Sequence, residues 1–102
     1  MMGISVHKQS IDLNKDIDSD GTVRLNLPPW SEILTIAEQA AETGRLAVWY
    51  RCNPGLPSDC ERTIHVVGTG HPCPPKVTAR YISTVLLHGG SLVLHFFENG
   101  DA

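Results

Sequence analysis

The chain has 102 residues and a formal net charge of -3, with 41% hydrophobic and 19% charged residues. This length suits one domain with one modest core, so we predict a single domain over residues 1–102. The mild acidity excludes the basic footprint of a protein that binds nucleic acid directly. No signal peptide and no apolar run long enough to cross a bilayer is visible, so we expect a cytoplasmic protein without a membrane partner.

Alternating apolar and polar residues predict two strands near the N-terminus. The first covers Ile4–Ile11 and suits a half-buried strand. Asp16–Gly21 has the composition of a turn, and the alternation of Thr22–Leu27 then predicts a second strand. Pro28 and Pro29 end that strand, because proline cannot donate a hydrogen bond to a neighbouring strand. We predict that the two strands form an N-terminal hairpin.

The next segment, Ile33–Gln39, is compatible with two structures. Ser31 is a suitable N-cap and Gly44 a suitable stop signal, which favours a helix. The β-branched residues within Ile33–Ala37 favour a strand instead. Local propensity favours the helix at this point, with the strand as the alternative.

Four further segments have the composition of strands: Leu46–Cys52, Arg62–Gly68, Arg80–Leu87 and Ser91–Phe97. The glycines at His88–Ser91 predict a hairpin in which Tyr81–Leu87 pairs with Ser91–Phe97. The last strand is apolar on both faces, so it is central or a second chain covers it. We therefore predict a homo-oligomer whose interface includes four residues of this hairpin: Tyr81, Leu92, Leu94 and Phe96.

A Gly-Thr-Gly-His-Pro segment follows the Arg62–Gly68 strand and is the most specific candidate site. Gly68 and Gly70 permit positive φ, so the backbone N–H groups of Thr69–His71 can converge on an anion. The predicted ligand-binding residues are Gly68, Thr69, Gly70 and His71. The prolines that follow oppose a helix that would help to hold a phosphate. We favour the simpler interpretation, a tight strand exit in which His71 locks the turn.

Cysteine and histidine offer an alternative chemistry. Cys52, Cys60, His71 and Cys73 are potential zinc ligands, but they lack the close Cys pairs of recognisable zinc sites. We interpret the three cysteines as reduced thiols and expect neither a metal nor a cofactor. A metal pair of His65 and His95 requires two adjacent strands in register.

Two long segments, RTIHVVGTGHP and YISTVLLHGGSLVLHFFE, resemble the characteristic segments of a family of short uncharacterised proteins of bacteriophage and prophage genomes. Ile4–Lys8, Ile33–Gly44 and Leu46–Tyr50 extend the resemblance over most of the chain. The resemblance implies a phage origin and a compact β-rich domain, and it carries no established activity. The chain departs from the family pattern in its longer Ala40–Gly44 turn and its three cysteines.

The resemblance also favours a strand at Ile33–Gln39, with a helical turn at Pro29–Glu32 or Gln39–Thr43 as the alternative. The expected fold is therefore all-β, an antiparallel sandwich or open barrel of about seven short strands with room for one helical turn.

We expect a phage-type interaction protein that acts in the host cytoplasm. Its expected partner is a host protein complex, for example a host factor or an antiviral defence system that it inhibits, or a small nucleotide. The alternative is a small metal-dependent or nucleotide-processing enzyme that uses His65, His71 and Cys73.

Overall fold

A computed structural model of the chain describes residues 3–39, 45–73 and 79–100. The strands are β1 (Ser5–Asp12), β2 (Thr22–Leu27), β3 (Glu32–Glu38), β4 (Arg45–Cys52), β5 (Cys60–Gly68), β6 (Ala79–Leu87) and β7 (Leu92–Asn99). A short 3₁₀ turn, His88–Gly90, separates the last two strands. Within the described ranges, no helix is long and apolar enough to cross a membrane.

The strands form two antiparallel sheets that pack face to face. One sheet has three strands in the order β1-β4-β3, and the other has four in the order β2-β5-β7-β6. The predicted all-β sandwich is therefore confirmed, and the segment at Ile33–Gln39 is a strand. The strand containing Ser91–Phe97 is central, as its two apolar faces predicted, because β7 lies between β5 and β6.

The predicted N-terminal hairpin is wrong. Strand β1 pairs with β4, whereas β2 pairs with β5 in the other sheet. The connection between β1 and β2 contains Leu13 and Ile17, which pack against the core. Because these two side chains are drawn inward, the chain crosses from one sheet to the other instead of reversing beside itself.

The core lies between the sheets and is built from inward residues of all seven strands. Its fully buried side chains include Ile11, Val23, Leu27, Ile36, Leu46, Val48, Ile64, Leu87 and Phe96. At one side β3 packs against β6, and the Ser83 hydroxyl bridges the two strands. Ser83 Oγ donates to the Ile36 carbonyl oxygen at 2.8 Å and accepts from the Ile36 N–H at 3.2 Å. This bridge joins the two sheets without closing a barrel.

The C-terminal hairpin is confirmed. Leu87 lies opposite Leu92, and pairing continues along both strands with an irregularity between Tyr81 and Ser83. The connection has positive φ at His88 (50°), Gly89 (66°) and Gly90 (93°).

The 3₁₀ turn among the described residues lies in the C-terminal hairpin, so the helical turn predicted at Pro29–Glu32 is wrong. Pro29–Glu32 is a turn that leads into β3, and Ala40–Gly44, with most of the Gln39–Thr43 alternative, lies outside the described residues.

Candidate functional site

The predicted ligand site, Gly68–His71, forms a β-turn. The His71 N–H donates to the Gly68 carbonyl oxygen at 3.1 Å, and Gly70 has φ 87° at the third position, as in a type II turn. A Cβ atom on Gly68 would lie 3.4 Å from Cδ2 of His71, so the imidazole packs closely over this glycine. One predicted donor, the His71 N–H, is therefore already used by the turn itself.

Thr69, the remaining side chain of that turn, belongs to a chain of hydrogen bonds across the four-stranded sheet. Its hydroxyl lies 2.8 Å from Nε2 of His95, and Nδ1 of His95 lies 2.9 Å from Oγ1 of Thr84. The Thr84 hydroxyl in turn lies 2.8 Å from the Tyr81 hydroxyl. The structure thus brings Thr69 and Tyr81, predicted for two different sites, onto one network through His95. We call this side of the sheet, turned away from the core, the outer face.

The four predicted interface residues do not share a surface. Tyr81 stands on the outer face, 55% exposed, with its ring against Phe97 at a centroid distance of 5.7 Å. Phe96 is fully buried between the sheets, and Leu94 packs against the same core. Leu92 lies on the core side of the sheet but at its margin and is partly exposed. An interface on the outer face therefore excludes Phe96, because its side chain points into the core.

The cysteine and histidine candidates are dispersed. Cys52 is buried, Cys60 is half-buried and Cys73 is exposed. His65 and His95 lie on the adjacent strands β5 and β7, but His65 contacts Asn99 at 3.2 Å while His95 is held by two threonine hydroxyls. Over the described ranges, no group of three or more metal-ligating side chains comes together.

A second turn, Pro28–Ser31, holds the least expected residue of the chain. The Ser31 N–H donates to the Pro28 carbonyl oxygen at 3.3 Å, and Trp30 occupies the third position with φ 60°. In a type II turn this position normally carries glycine, because a Cβ atom is strained there. Trp30 is also 89% exposed, so the strain is not compensated by burial of the indole. Strained backbone held in this way is typical of ligand-binding positions.

Trp30 separates two clefts. The polar cleft has a volume of about 660 Å³ and is lined by residues that include Ser31, Cys60, Arg62, Arg80 and Glu98. The apolar cleft has a volume of about 680 Å³ and is lined by residues that include Ile4, Arg51, Cys52 and Leu56. Pro29, Trp30 and Glu32 line both clefts. The indole therefore forms a ridge between a charged compartment and an aliphatic one.

An ion cluster forms the wall of the polar cleft. Glu98 is only 6% exposed, and its two carboxylate oxygens accept hydrogen bonds from Arg62 and Arg80. Arg62 also donates from Nη1 to the Ser31 carbonyl oxygen at 2.8 Å, which ties the cluster to the turn that carries Trp30. Strand register explains the contact, because Ile64 lies opposite Glu98 and Arg62 is two residues away on the same face.

A second ion pair lies beside Trp30 on the three-stranded sheet. Arg51 and Glu32 lie opposite each other on β4 and β3, and Nε of Arg51 donates to Oε1 of Glu32 at 3.0 Å. This hydrogen bond and the charge of Arg51 hold the pKa of Glu32 below its ordinary value. Glu32 is therefore ionised and paired with Arg51 at neutral pH.

The sequence interpretation missed this site. Pro28 and Pro29 predict the end of a strand, with a helical turn at Pro29–Glu32 as one alternative, although proline is also favoured at the second position of a type II turn. Counting Pro29 as that second position would have placed Trp30 where glycine is expected. The ion cluster depends on pairing between β5 and β7, and Arg62 and Glu98 carry no local signal of it.

The chain belongs to a family described as a domain of unknown function (DUF7352), which matches residues 2–102. Comparison with curated proteins and with solved structures gives no match.

Proposed function

We propose that this chain is a binding protein that recognises a partner molecule through Trp30 and the two clefts beside it. The observation that carries this proposal is an 89% exposed tryptophan held at positive φ where glycine is expected. If this turn had no role in binding, glycine in place of Trp30 would make the protein more stable. Tryptophan, with tyrosine and arginine, is also enriched among the few side chains that dominate protein interfaces.

We propose further that the protein has a phage origin and acts on a host protein complex in the host cytoplasm, such as a host factor or a defence system. The support is the resemblance of Arg62–Pro72 and Tyr81–Glu98 to phage and prophage proteins. Two adjoining clefts of this size suit a protein surface or a small ligand, and the aliphatic lining of one of them favours a protein.

The outer face supports the proposal of a homo-oligomer. Tyr81 and Leu86 are both more than half exposed there, on strand β6. This surface is separate from the clefts, so self-association and partner binding are compatible. Light scattering is expected to show a species heavier than the 11.1 kDa monomer at micromolar concentration. A monomer under these conditions would contradict the homo-oligomer.

Affinity capture tests the proposed function. The tagged full chain is used to capture partners from a lysate of the proposed bacterial host, in parallel with Trp30→Gly and His88→Gly. His88 is the matched control because it is the other described non-glycine residue at positive φ and lies in the distant C-terminal hairpin. We expect one stoichiometric partner with the wild type and His88→Gly, and none with Trp30→Gly. Capture that is equal in all three would contradict a site at Trp30.

A further inference from the structure

Resting on the proposed function, we propose that the partner presents an extended acidic-hydrophobic peptide segment to this site. One carboxylate enters the polar cleft and binds Arg80. A large apolar side chain a few residues away enters the apolar cleft against Ile4 and Leu56. The peptide backbone crosses the ridge formed by Trp30.

The acidic requirement follows from the charge of the polar cleft. Arg62 and Arg80 face Glu98. Glu32, which also lines this cleft, is paired with Arg51. Three arginines thus accompany two carboxylates, which leaves an excess of one positive charge around the site in a chain whose net charge is -3. Arg62 is largely buried and already donates to Glu98 and Ser31. The Arg80 side chain is 59% exposed and makes one described contact, to Glu98 Oε1 at 3.0 Å. A guanidinium has five N–H donors, so Arg80 retains donors that can bind a second carboxylate.

The apolar requirement follows from the other side of the ridge. Ile4 is 63% exposed, and with Leu56, Pro29 and the indole of Trp30 it forms an aliphatic and aromatic surface. Burial of a large apolar side chain here would remove this surface from water, which is favourable in proportion to the area covered. The Arg51–Glu32 pair lies at the margin, where polar groups surround an apolar anchor point.

A nucleotide fits the same site less well. A base could stack on Trp30 and a phosphate could bind Arg80. Ile4 and Leu56 would then have no group to contact, because a nucleotide offers no aliphatic surface to a second cleft of about 680 Å³. A peptide supplies an acid, an apolar side chain and a backbone that spans the shared ridge.

Selection from a random dodecapeptide display library on the immobilised full chain tests this inference, with Trp30→Gly as the counter-selection. We expect enrichment of peptides with Asp or Glu a few residues from Leu, Ile, Phe or Met. The most enriched peptide is then synthesised with both ends capped, and its affinity is measured by fluorescence anisotropy. We expect Arg80→Gln and Leu56→Ser each to weaken binding by about tenfold or more.

Arg24→Gln is the matched control, because Arg24 is a half-exposed arginine on β2 that is paired with Asp18 and does not line either cleft. It is expected to change the affinity by less than about twofold. Thermal melts show whether each variant is folded. Arg80→Lys keeps the charge without the planar donor pair and is expected to bind with intermediate affinity.

Any of four results would overturn the inference. Three are enriched peptides without acidic residues, an effect of Arg80→Gln no larger than that of Arg24→Gln, and displacement of the peptide by AMP at a lower concentration than unlabelled peptide. No enrichment above Trp30→Gly would overturn it too. If Trp30-dependent capture of a cellular partner persists in any of these cases, the proposed function stands and only the acidic-hydrophobic chemistry fails. If neither the expected peptide binding nor Trp30-dependent capture is observed, both proposals are wrong.

Discussion

We expect the Trp30→Gly variant to be more stable than the Trp30→Ala variant, which is the reverse of the usual effect of these two residues on stability. At most positions glycine is less stable than alanine by about 0.5–1 kcal/mol, because the unfolded chain gains freedom. At φ 60° alanine retains the strained Cβ atom that tryptophan has, and glycine does not. Both variants lose the same indole, so their difference isolates the backbone.

The magnitude follows from two opposing terms. A left-handed conformation costs a non-glycine residue about 1–2 kcal/mol. Glycine also gives the unfolded chain more conformational freedom, which offsets about 0.4–1 kcal/mol of the stability gained by removing this strain. Trp30→Gly should therefore be more stable than Trp30→Ala by about 0.5–1 kcal/mol. For a domain of this size the difference corresponds to a Tm higher by about 2–8 °C.

The assay is urea unfolding followed by circular dichroism, with calorimetry for Tm. The same pair of substitutions at His88, also at positive φ, should give the same order. Only the Trp30 variants should lose partner binding. An alanine variant at position 30 that equals or exceeds the glycine variant in stability would refute the argument that the turn is strained.

Three other predictions concern the contacts and the turn that hold the two sheets and the Trp30 site in place. Ser83→Ala removes the hydroxyl that joins the two sheets and should lower the free energy of unfolding by about 1–2 kcal/mol, measured in urea, and no loss would contradict the bridge. Arg51→Gln should raise the pKa of Glu32, followed by carboxyl ¹³C NMR, because Arg51 holds that pKa low. An unchanged pKa of Glu32 in the variant would show that Arg51 is not the cause. Because the pKa of Glu32 is lower in the folded state, the Arg51–Glu32 pair stabilises the fold at a pH above the pKa of glutamate in the unfolded chain. This contribution is lost as the pH falls through the lower pKa of the folded state. Replacing Gly89 and Gly90 by valine should cost about 1 kcal/mol or more per site through backbone strain, since open space surrounds both glycines apart from an ordinary contact of Gly90 with Leu86, and an unchanged Tm in the double variant would contradict the positive φ values.

The sequence was sufficient to predict features that depend on local pattern. Period-2 alternation predicted β2, and the two apolar faces of Ser91–Phe97 predicted a central strand. Glycines at His88–Ser91 predicted the hairpin between β6 and β7. In each case neighbouring residues carry the information, because side-chain direction and turn conformation are set within a few positions.

Features that depend on which strands become neighbours were not predictable in this way. β1 and β2 are adjacent in sequence and were expected to pair, but burial of Leu13 and Ile17 sends them to different sheets. The cluster of Arg62 and Glu98 forms between residues that are 36 positions apart. Charged residues at such a separation give no sign of their pairing until the register of β5 and β7 is known.

The candidate site shows the same division. The turn at Gly68–His71 was predicted from its glycines, and its turn geometry was the favoured interpretation. The turn at Trp30 has the same hydrogen bond and the same positive φ at its third position, but tryptophan takes the place of glycine. Turns are predicted from residue types that favour them. The glycines therefore predict the turn at Gly68–His71, whereas the strained turn at Pro28–Ser31 has no such signal at its third position.

Site-specific photo-cross-linking tests most directly whether the Trp30 clefts bind the partner. Photoreactive p-benzoylphenylalanine replaces Trp30 in one variant and the exposed aromatic Tyr81, on the outer face, in another. Both variants are irradiated in living cells of the proposed bacterial host. If the Trp30 clefts bind the partner, position 30 gives a covalent adduct with another protein and position 81 gives none. An adduct with another protein from position 81 alone would contradict this site, because the partner would then bind the outer face and leave Trp30 and its clefts unused.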